Sequence, residues 1–521
     1  MATRKTNKPS KTNRTSKTNR TSKTNRTSKT NRTNKTNKHN KNKLTLYDDT
    51  QEIILYKNSD NIKLLLLPHR NETFTSSIFF YFKVGSKNEP LEINGISHFV
   101  EHMIFKGSPK FKSYLDISKT FDANGISFNA FTSKDMTAYH YKFLSSSENL
   151  DIICKITSDM ILHPLMRDKD ILTERNVIKQ ELKDDEDDID EFISDNIENR
   201  IFEGHPLERT ITGTLETLDN IKQKDLLEFH NKYYRKDNLL ITFSGNMKNT
   251  YTNIINKYFS ISNSNLHKFT QIDIKHRETS TIIPYQEKQH RNVKDKDKDK
   301  DRNKDRNKDR NNNYKLSTIY CYPKKLKQDH IHIIFKTKGA FDTNYYNNKL
   351  LRNILGGNMS SRLFIEIREK LGLVYTINCS ITNYEEVGFF SINTQNEHKD
   401  TLKCINAILL ELKKIKGHAN NNTHMHTHSI TERELKETQK NYCDIFASNF
   451  DDIEFENEFY SKQLLYNKSF ETMSDRIDKF NNITVKDLTD TAIQLFDFTK
   501  MYIFTFGKET KENIQRIVNK I

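Results

Sequence analysis

The chain has 521 residues and a mass of 61.5 kDa, too long for one ordinary core and suited to two or more domains. Its hydrophobic fraction is 34% and its formal net charge +15, with no tryptophan, so the aromatic core mass must come from Phe and Tyr. Cysteines at 154, 321, 379, 404 and 443 form no Cys-x-x-Cys pair, which argues against a disulfide scaffold and for a reducing compartment, cytoplasmic or mitochondrial-like.

Residues 1–44 hold no acid, and Asp48 is the first. They repeat Thr-Asn-Arg-Thr-Ser-Lys with almost nothing apolar, so a disordered basic tail is expected. Such a tail can touch nucleic acid or an acidic surface by charge alone, but no aromatic interleaving or reader motif supports a nucleic-acid function. It has neither the apolar stretch of a secretory signal nor the amphipathic face of a mitochondrial presequence. No run approaches the roughly 20 apolar residues that span a bilayer.

Folded sequence is expected from about residue 45. Glu52–Tyr56, Ile62–Leu67 and Ser76–Val84 read as strands, rich in strong β formers. A loop over Gly85–Asn94 leads to a helix that Gly107-Ser108-Pro109 stops. Phe111–Phe121 reads as helix, Ile126–Phe131 and Ala138–Leu144 as strands, Glu148–Leu162 and Thr173–Gly204 as long helices. Leu215–Tyr234 adds helix and Leu239–Phe243 a strand, closing an α+β domain near residue 265. Residues 266–314 read as a linker, extended over 288–313 by Lys-Asp and Asp-Arg-Asn-Lys repeats that cannot pack. In the second region, 315–521, a strand through His330–Phe335 precedes helices at Asn347–Leu355 and Ser361–Lys370. Strands at Val374–Ile381 and Val387–Thr394 follow, then helices at Lys399–Lys414, Glu432–Phe450 and Thr484–Leu495, and a strand at Met501–Phe506. The order echoes the first domain and suggests two copies of one α+β unit.

The most informative stretch is His98-Phe99-Val100-Glu101-His102. Residues four apart share one helix face, so His98 and His102 can converge on one metal. Glu101, projecting beside them, can hold a water and take its proton. Catalytic zinc takes three protein ligands and a water. The third comes best from Glu174-Arg175-Asn176-Val177-Ile178-Lys179-Gln180-Glu181, where the two outer glutamates lie seven apart on nearly one face. Spacing does not choose between Glu174 and Glu181. The acids Asp184, Asp185, Glu186, Asp187, Asp188 and Asp190 just beyond favour basic peptides if they face the site, and otherwise form a solvated helix face. His424, His426 and His428 alternate in a polar stretch; a loop insertion explains them more simply than a metal site.

The stretches Gly85–Glu89 and Gly95–Ser108 resemble the insulinase-type zinc peptidases throughout. This inverted-zincin family includes pitrilysin, insulin-degrading enzyme and the mitochondrial processing peptidases. The resemblance implies two homologous α/β-sandwich domains of the LuxS/processing-peptidase type, with helices on a mostly antiparallel sheet, the first catalytic and the second not. It implies a zinc metalloendopeptidase with one Zn2+ per chain. Glu181 becomes the third ligand beside His98 and His102, Glu101 the base and Glu174 a supporting acid. The segment Asn129-Ala130-Phe131 becomes an edge strand to which a peptide adds. Leu355–Phe364 and Arg368–Tyr375 match the second domain, implying that Arg368 and Tyr375 reach the substrate. The two glycines Gly356-Gly357 lack the Gly-Lys-Ser/Thr context of a phosphate loop. Two-domain members generally pair with a second subunit, so a homodimer or a heterodimer with a related chain is implied. The competing reading is an inactive core or partner subunit of a processing-peptidase-like complex, but here every expected catalytic position is filled. The Asn- and Lys-rich repeats suit an AT-rich source, including a large virus.

Overall fold

A computed structural model describes residues 53–57, 63–69, 73–259, 267–269, 317–416, 429–466 and 470–521. The basic tail, the 288–313 insertion and the His424–His428 tract lie outside the described residues.

Two sheets organise the chain. The first contains β1 (Ile54–Lys57), β2 (Lys63–His69), β3 (Thr75–Phe82), β4 (Ser127–Thr132), β5 (Thr137–Leu144), β6 (Leu239–Asn246) and β7 (His267–Phe269), in the order β4-β5-β3-β6-β2-β1-β7. The second contains β8 (Thr318–Pro323), β9 (Asp329–Thr337), β10 (Val374–Asn383), β11 (Gly388–Asn396) and β12 (Tyr502–Gly507), in the order β10-β11-β9-β12-β8. Among the described residues only β2–β6 and β8–β12 are parallel pairs, and the others are antiparallel. The second sheet therefore repeats the order and directions of β4-β5-β3-β6-β2, and the molecule is two α/β domains with mixed sheets and packed helices.

The helices of the first half are α1 (Ile96–Ile104), α2 (Tyr114–Ala123), α3 (Ser147–Leu162), α4 (Asp168–Asp187), α5 (Ile189–Ile201), α6 (Leu215–Asn220), α7 (Gln223–Tyr233) and α8 (Tyr251–Phe259). One face of the first sheet, including Ile78, Phe80 and Phe82, packs with α1, α3, α7 and α8 around Phe99, Ile153, Leu226 and Ile255. Ser113 and Ser146 cap α2 and α3, each accepting a backbone N–H of the first turn.

The predicted helix over Thr173–Gly204 is two helices. The backbone of Asp188 is extended, and its carboxylate accepts the amides of Asp190 and Glu191 to cap α5. That break redirects the chain. Ile193, Ile197 and Ile201 of α5 pack on Ile334, Phe389, Phe504 and Phe506 of the second sheet. The second half returns the exchange with a helix at Ile453–Leu465, which packs on β3 and β6. It brings a buried polar network. Asn457 Nδ2 donates to the Thr242 carbonyl (3.2 Å), the Thr242 hydroxyl donates to Asn457 Oδ1, and Ser77 Oγ donates to the Ile453 carbonyl (3.1 Å). Glu456, 1% exposed, meets His69 Nε2 at 2.6 Å. At the tip of the β10–β11 hairpin, Tyr384 donates to Glu198 (2.8 Å) and Glu385 pairs with Lys83 (2.5 Å).

Further elements not anticipated from sequence are β7, which pairs with β1 inside the stretch read as linker, α8, β8 and helices at Met473–Asn481 and Lys511–Val518. Residues 364–370 form a π-helix rather than the expected α-helix. Gly356 ends the helix Tyr345–Gly356, and a Cβ there would lie 2.6 Å from the Cys379 amide. Close packing of that helix on β10 explains the residue, in keeping with rejection of a phosphate loop.

Replacing Asn457 by Ala leaves the buried Thr242 hydroxyl without its partner. Because a buried polar group left without its partner costs about 1–3 kcal/mol, urea unfolding of Asn457→Ala is expected to show stability lowered by that amount. An unchanged midpoint would show that this network contributes nothing to holding the halves together.

Candidate metal centre

Helix α1 buries Ile96, Phe99, Val100, Met103 and Ile104. That phase turns His98, Glu101 and His102 together toward α4 and β4, with which α1 packs. The helix begins at Gly95, whose φ of 97° lies in the left-handed region and whose Cβ would sit 2.6 Å from the Thr212 carbonyl oxygen.

Glu89, which the sequence reading did not single out, anchors this helix start. Its Oε2 accepts from Asn94 Nδ2 (2.6 Å) and the Gly95 amide (2.7 Å), and its Oε1 from the Ser97 amide (2.8 Å). It is 3% exposed. Burial pushes its pKa up to about 7 against the pull of those donors.

The two histidine Nε2 atoms lie 3.1 Å apart. Glu181, reaching from α4, places Oε1 3.7 Å from His98 Nε2 and Oε2 3.7 Å from His102 Nε2. Their ligand atoms all fall within 4.8 Å of one another. Glu174, one face-repeat earlier on α4, does something else. Its Oε2 lies 3.0 Å from His102 Nδ1, and its Oε1 pairs with Lys106 Nζ. Because His102 Nδ1–H donates to Glu174, its Nε2 is left as the lone-pair nitrogen. The choice that spacing left open is made by tertiary geometry.

The electrostatics are those of a metal site. Burial and the neighbouring His102 lower the His98 pKa to about 3, so it is neutral. Burial also acts to lower that of His102, but the Glu174 hydrogen bond and the surrounding carboxylates raise it overall. Burial raises Glu181, assisted by Asp185, Glu174 and Asp184 and opposed by His102. The two imidazole Nε2 atoms, 3.1 Å apart beside the Glu181 carboxylate, converge on a point where one cation could be held. The 3.1 Å spacing is also close to the roughly 3.3 Å expected of two nitrogens each about 2.0–2.1 Å from a tetrahedral zinc. The donor set fits zinc.

Glu101 does not join the ligand set. Its Oε2 accepts from Thr132 Oγ1 (2.7 Å) at the end of β4, and burial raises its pKa. The contact of Thr132 with Glu101 is a second feature of the site that the sequence did not indicate. Among the described residues, strand β4 is the sheet edge and pairs only with β5, with Asn129 exposed and Ala130 and Phe131 half-buried. Asn129 Oδ1 accepts from the Ala130 amide (2.9 Å). Arg368 and Tyr375 are brought to each other. Arg368 Nε donates to the Tyr375 carbonyl (2.9 Å), its guanidinium meets Glu369 and lies over the Phe364 and Tyr375 rings, and Tyr375 is 73% exposed. Among the described residues, none of these contacts reaches the histidines or their glutamates. The 184–190 acids stand exposed or half-buried at the end of α4 and the start of α5.

Two histidines and a glutamate that could hold one metal ion, with the buried Glu101 carboxylate beside them and outside that set, have the chemistry a zinc-dependent peptidase needs. The chain belongs to the insulinase family, peptidase family M16: residues 64–215 match the pattern of its catalytic domain and residues 220–441 that of its inactive domain. The three ligands all fall in the first match. The chain is 27% identical over 449 residues to YmxG, an uncharacterized zinc protease of Bacillus subtilis, covering 85% of this chain and 95% of that one. It is 26% identical over 414 residues to an uncharacterized zinc protease of Rickettsia felis, covering 80% and 88%. Its fold is shared with a protease from Helicobacter pylori at a TM-score of 0.68 and 20% identity, over 88% of this chain and 99% of that one. A chain of complex III2 from Candida albicans shares it at 0.67 and 15%, over 89% and 99%. At such identities the likeness concerns fold alone, and the activity is argued from the site.

Replacing Glu89 by Gln turns an amide N–H2 toward backbone donors. Zinc affinity, measured by chelator competition, is expected to fall as the helix start that carries His98 loosens. The raised pKa of Glu89 gives stability that is full below about pH 4.5 and lost as pH rises through about 7. The stability gap between wild type and Glu89→Gln is therefore expected to narrow across that window in denaturant unfolding. A constant gap with unchanged zinc affinity would rule out the anchoring role.

Proposed function

We propose that the protein is an endopeptidase that cuts extended or unfolded peptides, with one zinc per chain held by His98, His102 and Glu181. The observation that carries this reading is the division of labour among the three glutamates: Glu181 faces both histidine Nε2 atoms, Glu174 fixes His102 from behind, and Glu101 stands free of both tasks.

When bound, zinc lowers the pKa of water and polarises a carbonyl. Glu101 takes one proton from the attacking water as its oxygen bonds to the scissile carbonyl carbon. The C–N bond then breaks, and the proton passes to the leaving amine. Burial suits Glu101 to this task by raising its proton affinity, and the Thr132 hydroxyl orients the carboxylate. The substrate adds as a further strand to the free edge of β4, along Asn129, Ala130 and Phe131. Such an edge accepts extended backbone and excludes folded proteins. Closure of the substrate channel brings Arg368 to a peptide carbonyl and the exposed Tyr375 hydroxyl to the developing oxyanion. A second subunit, identical or related, completes the chamber. The catalytic domain spans about 45–265 and the non-catalytic one about 315–521. No helix among the described residues is long and apolar enough to cross a membrane.

The test is cleavage of a library of unstructured peptides by wild type and Glu101→Gln, with zinc content measured on both. Equal zinc and a loss of about 10²–10⁴ in kcat/KM in the variant are expected. Comparable cleavage by the two proteins would remove Glu101 from the mechanism.

A further inference from the structure

A cavity of about 760 Å³ lies where the β4–β5 hairpin meets the second half, lined by Phe131 and Ser133 on one side and by Arg352, Tyr442, Phe459 and Arg476 on the other. Side chains alternate across a strand. Thr132 faces Glu101 and the metal ligands, whereas Phe131 faces the opposite side of the sheet and packs with the second half. The cavity therefore adjoins the edge strand but on the face away from the metal.

Its chemistry is cationic on an aromatic wall. The Arg476 side chain is only 12% exposed, and its guanidinium lies 4.4 Å from the Phe459 ring centre and 5.8 Å from those of Tyr345 and Phe446. Nε donates to Glu471 (3.3 Å); Nη1 and Nη2 have no hydrogen-bond partner among the described residues. Arg352, on the same wall, uses Nε on the Cys379 carbonyl (2.8 Å), and neither it nor Lys349 has an acid partner among the described residues. The acids in the lining are already engaged. Glu458 pairs with Lys462 (2.9 Å), and Asp135 accepts from Tyr466 (2.9 Å) and Ser133 (3.3 Å). A buried arginine with its planar N–H fork unused matches a carboxylate, which it can hold through two parallel hydrogen bonds.

We infer that this cavity is a substrate subsite for a carboxylate borne by an apolar segment of the peptide, gripped by Arg476 with Arg352 and Lys349. The inference rests on the reading that a peptide adds to β4. A peptide in that position projects alternate side chains toward the metal and toward this cavity. The carboxylate is either an acidic side chain or the C-terminus of the peptide. Both present the same two oxygens to the guanidinium.

The experiment is titration calorimetry on the full-length, zinc-loaded Glu101→Gln protein, so that binding is read without cleavage. The probes are neutral unstructured peptides in which one Glu or its Gln counterpart is walked along the chain, each with a free or amidated C-terminus. The expected result is about tenfold tighter binding for Glu over Gln within one narrow range of positions if the side chain is the source, or for free over amidated ends if the terminus is. That ratio should collapse in Arg476→Gln and fall in Lys349→Glu, a half-buried site whose change spares the core if Arg476→Gln does not fold. Equal binding of all probes, with cleavage by wild type, overturns the subsite alone. Absence of both binding and cleavage overturns the edge-strand reading beneath it.

Discussion

The phase of one short helix governs the rest of the site. α1 must bury Phe99, Val100 and Met103 against the first sheet, and that burial fixes its rotation. At about 100° per residue, no other phase satisfies the core. His98, Glu101 and His102 are then aimed at α4 and at the end of β4, and Glu181 and Thr132 have only to be within reach. Glu89 pins the start of the helix, where free backbone amides would otherwise be buried without partners. Glu174 and Lys106 brace the far side of His102. A rotation of α1 by one residue would lose the cluster and the core together.

The exchange of helices between the halves gives the second domain a role even though it bears no metal cluster among the described residues. Helix α5 covers the second sheet with three isoleucines, and helix Ile453–Leu465 covers the first with Asn457, Glu456 and Phe459. Each sheet has one face finished by the other half. Among the described residues both keep an open edge, β4 and β10, and the first of these borders Glu101. In the proposed function, this mutually completed scaffold with an exposed strand beside Glu101 suits substrates that arrive as extended chain rather than as folded domains.

Much of this was legible in the sequence where the signal is local. The i, i+4 spacing of His98 and His102 is a helix property, and the strands of Ile, Phe and Tyr announced themselves. The topological repeat showed in the order of elements. What stayed hidden depended on distant partners. The spacing of Glu174 and Glu181 fits either as ligand, and only the positions of Nδ1 and Nε2 of His102 separate them. The break at Asp188 hides in an acidic run that reads as continuous helix until its carboxylate caps α5. Helix Ile453–Leu465 buries Glu456, Asn457, Ser461 and Gln463, so its polar core face erases the apolar period that would have revealed it. Glu89 is a lone acid in a loop, given meaning only by the amides folded around it.

Everything proposed for the site depends on His98, His102 and Glu181 holding one zinc. X-ray absorption at the zinc edge of the purified protein, with stoichiometry by atomic emission, tests it most directly. One zinc per chain is expected in a shell of nitrogen and oxygen only, at about 2.0–2.2 Å, lost in His98→Ala and in Glu181→Ala. A sulfur shell near about 2.3 Å, or zinc retained undiminished in both variants, would contradict it.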